Sequence, residues 1–362
     1  MPSAFATKLA EAFSAKVMKE MYANSVYDLI TNRDYEGDVN AVGSKVNILS
    51  LARISEQVYT GANLAPASIQ EVNGQLSLSQ QKAFYWKENT IDKWKSYIKE
   101  PKPVIVDQLA QERKKNVDAF VLGFYPNIAA GNRIGTDYVT GTVAVDVNGN
   151  VTGSGTTFTS AMVGKGFKAT GQSVWYRVIT YTSATSIVIQ NDTYDDVAAY
   201  TGGVINAGAS YTVQANTPLA ITASNILKEI IALGVILDNQ EVPEADRFLI
   251  LHPTIAQYIP QGSGLALNVP AAYQDLIVKG LMAELQGFKV IKSARVLGDN
   301  VNGYHCIAAN RNWLTFADKV LEVGIEEDQI GNFGSAFKDL YVYGAKVTDN
   351  RLKFAAEFFV TG

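Results

Sequence analysis

The stretch Lys102 to Tyr125, KPVIVDQLAQERKKNVDAFVLGFY, decides how the rest of the chain is read. Its spacing predicts one long helix of about six turns at 3.6 residues per turn. Pro103 stands in the first turn, where the missing N–H would have had no partner. Val117, Phe120, Val121 and Phe124 recur at three and four, so the second half presents an apolar stripe. Gln111-Glu112-Arg113-Lys114-Lys115-Asn116 is polar around most of its circumference. Such a helix serves either as a spine, packed at its ends and exposed across its middle, or as an ordinary surface helix.

The whole chain has 362 residues, more than one core usually serves, so two or more domains are expected. Hydrophobic residues at 47% and charged residues at 18% give an ordered, globular composition. A net charge of −4 argues against a protein whose main task is gripping phosphates, although a local basic patch stays open. The single cysteine, Cys306, excludes an internal disulfide, and two histidines leave little for a zinc site. Neither a secretory signal nor an apolar run of eighteen residues is present, so a reducing cytoplasm and no membrane span are expected.

Ahead of the spine, Phe5, Leu9, Phe13, Val17 and Met21 fall four apart and predict an amphipathic helix, with Ser3 near its start. A terminal segment stays ordered only when held, so that stripe lies on this chain's own core or on a neighbour. Gly43 to Leu49 begins a strand, and Leu76–Gln80 and Lys82–Lys87 read as strand again. Between Ser50 and Gln75 lies a weakly periodic excursion, which suggests an extended hairpin leaving the body of the fold. A short helix with Ile91, Trp94 and Ile98 on one side follows, capped by Asn89 or Thr90 and closed by Pro101.

Past the spine the composition changes. No leucine occurs between Leu122 and Leu219, and no glutamate between Glu112 and Glu229, which argues against helix. Threonine, valine, glycine and tyrosine take over, and Asn148-Gly149 predicts a two-residue hairpin turn. Trp175–Ile179, Ser186–Ile189 and Tyr211–Val213 continue the strand pattern, so Gly135 to Gln214 reads as a small all-β module inserted into another domain. Helical periodicity resumes at Ile221 to Leu237, with Ile226, Ile230, Leu233 and Leu237 on one face and Thr222 or Ser224 near the start. Arg247–Leu251 predicts a buried strand ended by His252-Pro253, with a helical turn over Thr254–Ile259. A helix through Leu276, Lys279, Gly280 and Ala283 ends near Gly287. Phe288–Ile291 and Tyr304–Ala309 are strands, giving a mixed α+β domain. Asp339–Val347 and Leu352–Ala355 predict a C-terminal pair beside the spine.

No catalytic constellation stands out. His305 adjoins Cys306, but strand neighbours point to opposite faces, and Cys306 reads as core. His252 reads as a strand-end hydrogen bonder. Val151–Gly155 and Gly164-Lys165-Gly166 lack phosphate-loop spacing and read as β-turns. Glu326-Glu327-Asp328 and Asp195-Asp196 lack the alternating ligands of a calcium loop. Arg113-Lys114-Lys115, without interleaved aromatics, reads as a solvated helix face. No catalytic, cofactor or metal residue is therefore assigned, and the chain is not read as an enzyme.

The layout nevertheless resembles a family. Asn32-Arg33-Asp34-Tyr35-Glu36-Gly37-Asp38 followed by Gly43-Ser44-Lys45-Val46-Asn47-Ile48, the strand Phe84-Tyr85-Trp86-Lys87 with Thr90-Ile91-Asp92, and Tyr343-Gly344-Ala345-Lys346-Val347 with Leu352 are together similar to tailed-phage major capsid proteins. Their fold is the Hong Kong 97 type, and the branch resembled is that of short-tailed phages of enteric bacteria. The β module, through Thr152–Phe158, Met162–Gly164 and Tyr181–Ile187, looks like a small module of phage structural proteins. The resemblance implies an N-terminal arm at 1–34, an extended E-loop at 35–92, a P-domain spine helix at 93–134 and an inserted β domain at 135–214. An A-domain at 215–325 and C-terminal P-domain strands at 326–362 complete it. It further implies an icosahedral virion shell of hexamers and pentamers, assembled in the host cytoplasm. A separate scaffolding protein, a portal, a decoration protein and non-specifically held double-stranded DNA would be its partners. The alternative weighed is a glycan- or surface-binding virion protein acting through Trp175, Tyr176, Tyr194 and Tyr200.

Overall fold

The computed structural model describes residues 25–34, 45–51, 71–89, 102–192, 198–261, 284–285, 287–326 and 334–362. The expected N-terminal helix, the helix carrying Ile91, Trp94 and Ile98, the positions Leu276 to Ala283, Tyr194, Asp195-Asp196 and Glu327-Asp328 lie outside them.

The spine helix runs Lys102–Leu122. Its ladder closes at Gly123, whose N–H is shared between the carbonyls of Ala119 and Phe120, and a 3-10 turn, Tyr125–Asn127, follows with Pro126 inside it. Val117, Val121 and Leu122 are buried, and Phe120 stands edge-on to Phe124 and Tyr343, both at 5.2 Å. Lys114 to Asn116 are exposed. Arg113 corrects the reading of that stretch as a solvated face: it pairs with Asp339 and lies 5.0 Å over the Tyr341 ring. Arg113 precedes Val117 by four and Phe120 by seven, so its stem extends the apolar stripe.

A three-stranded antiparallel ribbon, in the order Leu314–Glu326, Gly334–Val347, Gln80–Asn89, packs on this helix through Tyr341 and Tyr343. The excursion is a hairpin: Lys45–Leu51 pairs antiparallel with Glu71–Ser77 over all seven residues. It meets the ribbon at Gly344, where a Cβ would fall 2.2 Å from the Ser77 carbonyl oxygen.

The central sheet runs in the order Leu219–Ala220, Ala355–Thr361, Gly303–Asn310, Arg247–Leu251, Phe288–Lys292, Glu284–Leu285. Three expectations change here. Leu352–Ala355 does not return beside the spine; Asp349–Phe354 is a 3-10 turn, and Ala355–Thr361 enters this sheet. Ala355 to Val360 are all buried, the mark of an inner strand covered on both faces. The helix expected from Ile221 begins at Ile226, because the Ile221 N–H is taken by the carbonyl of Thr361 in the sheet. Its inward residues Ile226, Ile230, Leu233 and Leu237 are fully buried. Finally, no helix reaches Gly287: Glu284–Leu285 is a strand paired with Phe288–Lys289, and Gly287 holds φ +76°.

Residues 136–217 form a β module, an eight-stranded sheet with a separate core that includes Val143, Phe158, Phe167, Val178, Ile187 and Val213. The turn at Asn148-Gly149 is longer than the two residues expected. The N–H of Gly149 donates to the carbonyl of Asp146, Gly149 takes φ +81°, and the Asp146 carboxylate accepts from the N–H of Asn148 and of Asn150. That carboxylate closes the loop on the backbone two and four residues ahead, with Gly149 in the left-handed region. Val151 to Ser154 is strand and not turn; Gly153 lies so close to Thr156 that a Cβ would meet its Oγ1 at 2.1 Å. Both ends of the module join one edge of one strand. Arg133–Ile134 runs parallel to Glu357–Phe358, and Leu219–Ala220 runs parallel to Val360–Thr361.

Candidate functional site: a buried ionic junction

The inner strand Ala355–Thr361 carries one charge, Glu357, and it has no exposure. A lone carboxylate in such a strand must be paired, since desolvation without a partner costs several kcal/mol, on the order of the whole stability margin. Arg133 supplies the partner from the parallel strand, and His305 from the antiparallel one, with Nδ1 2.6 Å from Glu357 Oε1. The His305 ring is stacked between Tyr125, at 3.8 Å, and Phe359, at 4.4 Å. Burial would raise the Glu357 pKa, but Arg133 first, then His305 and Lys165, hold it down at about 2. Lys165, itself buried, places Nζ 4.5 Å over the Phe359 ring, and burial lowers its pKa against the pull of Glu357.

Arg133 also donates to the carbonyls of Pro126 and Ile128, both at 3.0 Å. Arg177, from the β module, donates to the same two oxygens, at 2.5 and 2.9 Å. Its Nε reaches Asp192 at 2.7 Å, and Asp192 accepts in turn from the N–H of Ala130. Charge is thus satisfied in a closed set of spine turn, β module and central sheet. A second buried carboxylate ties the spine elsewhere: Asp118 accepts from Ser25 Oγ and the N–H groups of Val26 and Tyr27, and pairs with Arg295.

None of this is a reactive constellation. Cys306 faces the other side of its strand from His305, fully buried, and burial pushes its thiol up to about 12. His252 caps Pro253–Ala256, with Nδ1 2.7 Å from Thr254 Oγ1 and its ring stacked 4.0 Å from Tyr304; burial lowers its pKa. Among the described residues no cluster of three or more His, Cys, Asp or Glu stands ready for a metal. Tyr176 and Tyr200 are buried with rings 4.8 Å apart, and the Tyr200 hydroxyl is held by Gln172 and Gly203, so neither offers a face to a sugar. Trp175 is half-buried beside Lys168.

Sequence reading gave no role to Arg133, Arg177, Asp192 or Glu357, and placed Lys165 only in a β-turn. The available signal was Glu357 itself, a single acid inside Ala355-Ala356-Glu357-Phe358-Phe359-Val360.

No family model matches the sequence, and no curated protein matches it. Solved structures do. One described as Mycobacterium phage Che8 is 15% identical with a TM-score of 0.61, over 97% of this chain and 96% of that one. The capsid structure of the cyanophage P-SCSP1u is 12% identical with a TM-score of 0.58, over 98% and 94%. The capsid of Ralstonia phage GP4 is 10% identical with a TM-score of 0.53, over 94% and 91%. The likeness runs over nearly the whole length of each chain, and this chain has the α+β capsid fold of the Hong Kong 97 type.

Proposed function

We propose that this chain is the major capsid protein of a tailed bacteriophage. Copies of it associate into hexamers and pentamers of an icosahedral virion shell enclosing double-stranded DNA. The observation that carries the reading is a fold shared over 98% of the chain with a cyanophage capsid structure and over 94% with a Ralstonia phage capsid. The surface supports it. The thirteen- and fourteen-residue strands of the ribbon are longer than the usual strand of about three to ten residues, and the hairpin Lys45–Leu51/Glu71–Ser77 extends from them. Helix Ile226–Asn239 is apolar on both sides: opposite its buried face it exposes Ile231 and Val235, flanked by Lys228 and Asp238. A helix apolar all round is normally covered all round, and in this reading neighbouring copies cover it.

Assembly of this kind needs only weak contacts, about 4 kcal/mol each or roughly millimolar, because many act together. Closed symmetry then follows from the angles between copies. The arm at 1–34, the E-loop at 35–92, the spine at 93–134, the inserted β domain at 135–214, the A-domain at 215–325 and the closing strands at 326–362 are the proposed working parts. A scaffolding protein, a portal and a decoration protein are the proposed partners. DNA would be held without sequence preference, in keeping with a net charge of −4.

Electron microscopy of the purified chain, alone and with a scaffolding partner, tests this: shells, rings or capsomers are expected. Monodisperse monomers under every condition would sink it.

A further inference from the structure

The turn after the spine helix is held more tightly than a connection requires. The carbonyls of Pro126 and Ile128 each accept from two guanidinium groups, Arg133 on the side of the central sheet and Arg177 on the β module. Two and three residues beyond Ile128 the grip continues. The N–H of Ala130 donates to Asp192, and Gln214 Nε2 donates to the carbonyl of Gly131 at 3.0 Å. Gly131, at φ +98°, lies so close to Trp175 that a Cβ would meet its Cδ1 at 2.4 Å. Lys165 then reaches across to Phe359, on the central sheet itself. A module that only hung from its two connecting strands would need none of these ties.

We propose that the β module is a brace. It fixes the angle between the spine helix and the central sheet, and through that angle the curvature at which copies of the chain join. The second half of this statement rests on the shell reading; the first does not. Two forks, one buried and one half-buried, on two shared oxygens leave the turn one geometry, because any swing of the helix end must break bonds to both at once. Arg177 is the positioning residue: it touches the turn, not the central sheet, so its loss releases the brace and leaves the Arg133–Glu357 pair in place.

The experiment uses the full chain carrying Arg177→Ala, Arg177→Lys or Asp192→Asn. Amide hydrogen exchange is read on the unassembled protein, and particle diameters by electron microscopy. In Arg177→Ala, exchange over residues 125–134 is expected to rise tenfold or more while Arg247–Leu251 keeps its protection, and the diameters spread. Arg177→Lys is expected to follow the alanine variant, since an ammonium gathers its three donors on one nitrogen and lacks the planar fork that reaches two carbonyls and a carboxylate at separate points. If Arg177→Ala fails to fold, the other two variants carry the same readouts. Unchanged exchange over 125–134 overturns the brace. Raised exchange with unaltered diameters overturns its control of curvature. A wild-type chain that never forms shells overturns the shell reading, while the exchange result still decides whether the brace exists.

Discussion

At the residue scale the chain is governed by a few buried charges, and Glu357 is the one whose energetics can be followed furthest. Its pKa falls from 4.5 to about 2 in the folded protein. A carboxyl whose folded pKa is depressed stabilises the fold above its unfolded pKa, and that contribution is lost as pH falls through the folded one. The window here runs from about pH 4.5 down to about pH 2, and the shift corresponds to roughly 3 kcal/mol. Glu357→Gln is expected to cost about 3–5 kcal/mol at neutral pH, because Arg133 is left buried without its counter-charge. The variant should also lose the pH dependence of stability between pH 4.5 and 2. Urea unfolding at several pH values reads both, and a slope equal to that of the wild type would show that another carboxyl carries the acid response. The acid was visible in the sequence as an intruder in an apolar run. Its partner was not, because Arg133 stands 224 positions away and only the fold sets the two strands side by side.

At the element scale, what local chemistry dictates was legible and what tertiary competition dictates was not. Pro103 marks the start of the spine helix because the first turn tolerates a missing N–H; its end was not read, since the pattern carried it to Tyr125 and the helix stops at Leu122. The later helix gave no such notice: its face residues were right, yet Ile221 spends its N–H on Thr361, a partner invisible to periodicity. The strand Ala355–Thr361 misled for a related reason, since a continuous apolar run does not say which sheet will cover it. Asp118 shows what holds the spine to the chain before it. Asp118→Ala is expected to cost about 3–5 kcal/mol, as the loss of a buried charge pair does. It should also speed exchange at the amides of Val26 and Tyr27, whose acceptor it removes. Denaturation and exchange on the same samples check this; slow exchange at those two amides in the variant would mean that other contacts hold that turn.

For the whole molecule, the decisive sequence signal was uneven composition. The absence of leucine and glutamate across nearly a hundred positions marked off a region that has its own sheet and its own core. The proposed contact surface was harder to read, because Ile231 and Val235 look like core residues until the fold shows them 48% and 49% exposed. Replacing both with glutamate is expected to leave subunit stability within about 0.5 kcal/mol, as for exposed positions generally, and to abolish shells. Calorimetry beside microscopy separates the two, and normal shells from that double variant would remove this helix from the proposed interface.

One further consequence comes from the two short parallel strands that tether residues 136–217 to a single edge of Ala355–Thr361. Because the way out lies beside the way in, a foreign cassette with equally close termini should fit between Ile134 and Leu219, but without Arg177 and Asp192 it would leave the turn after the spine helix short of those ties. The two tethers make this locus a socket for exchange, and the tightness of the turn, not the anchoring of the cassette, is what such a swap would change.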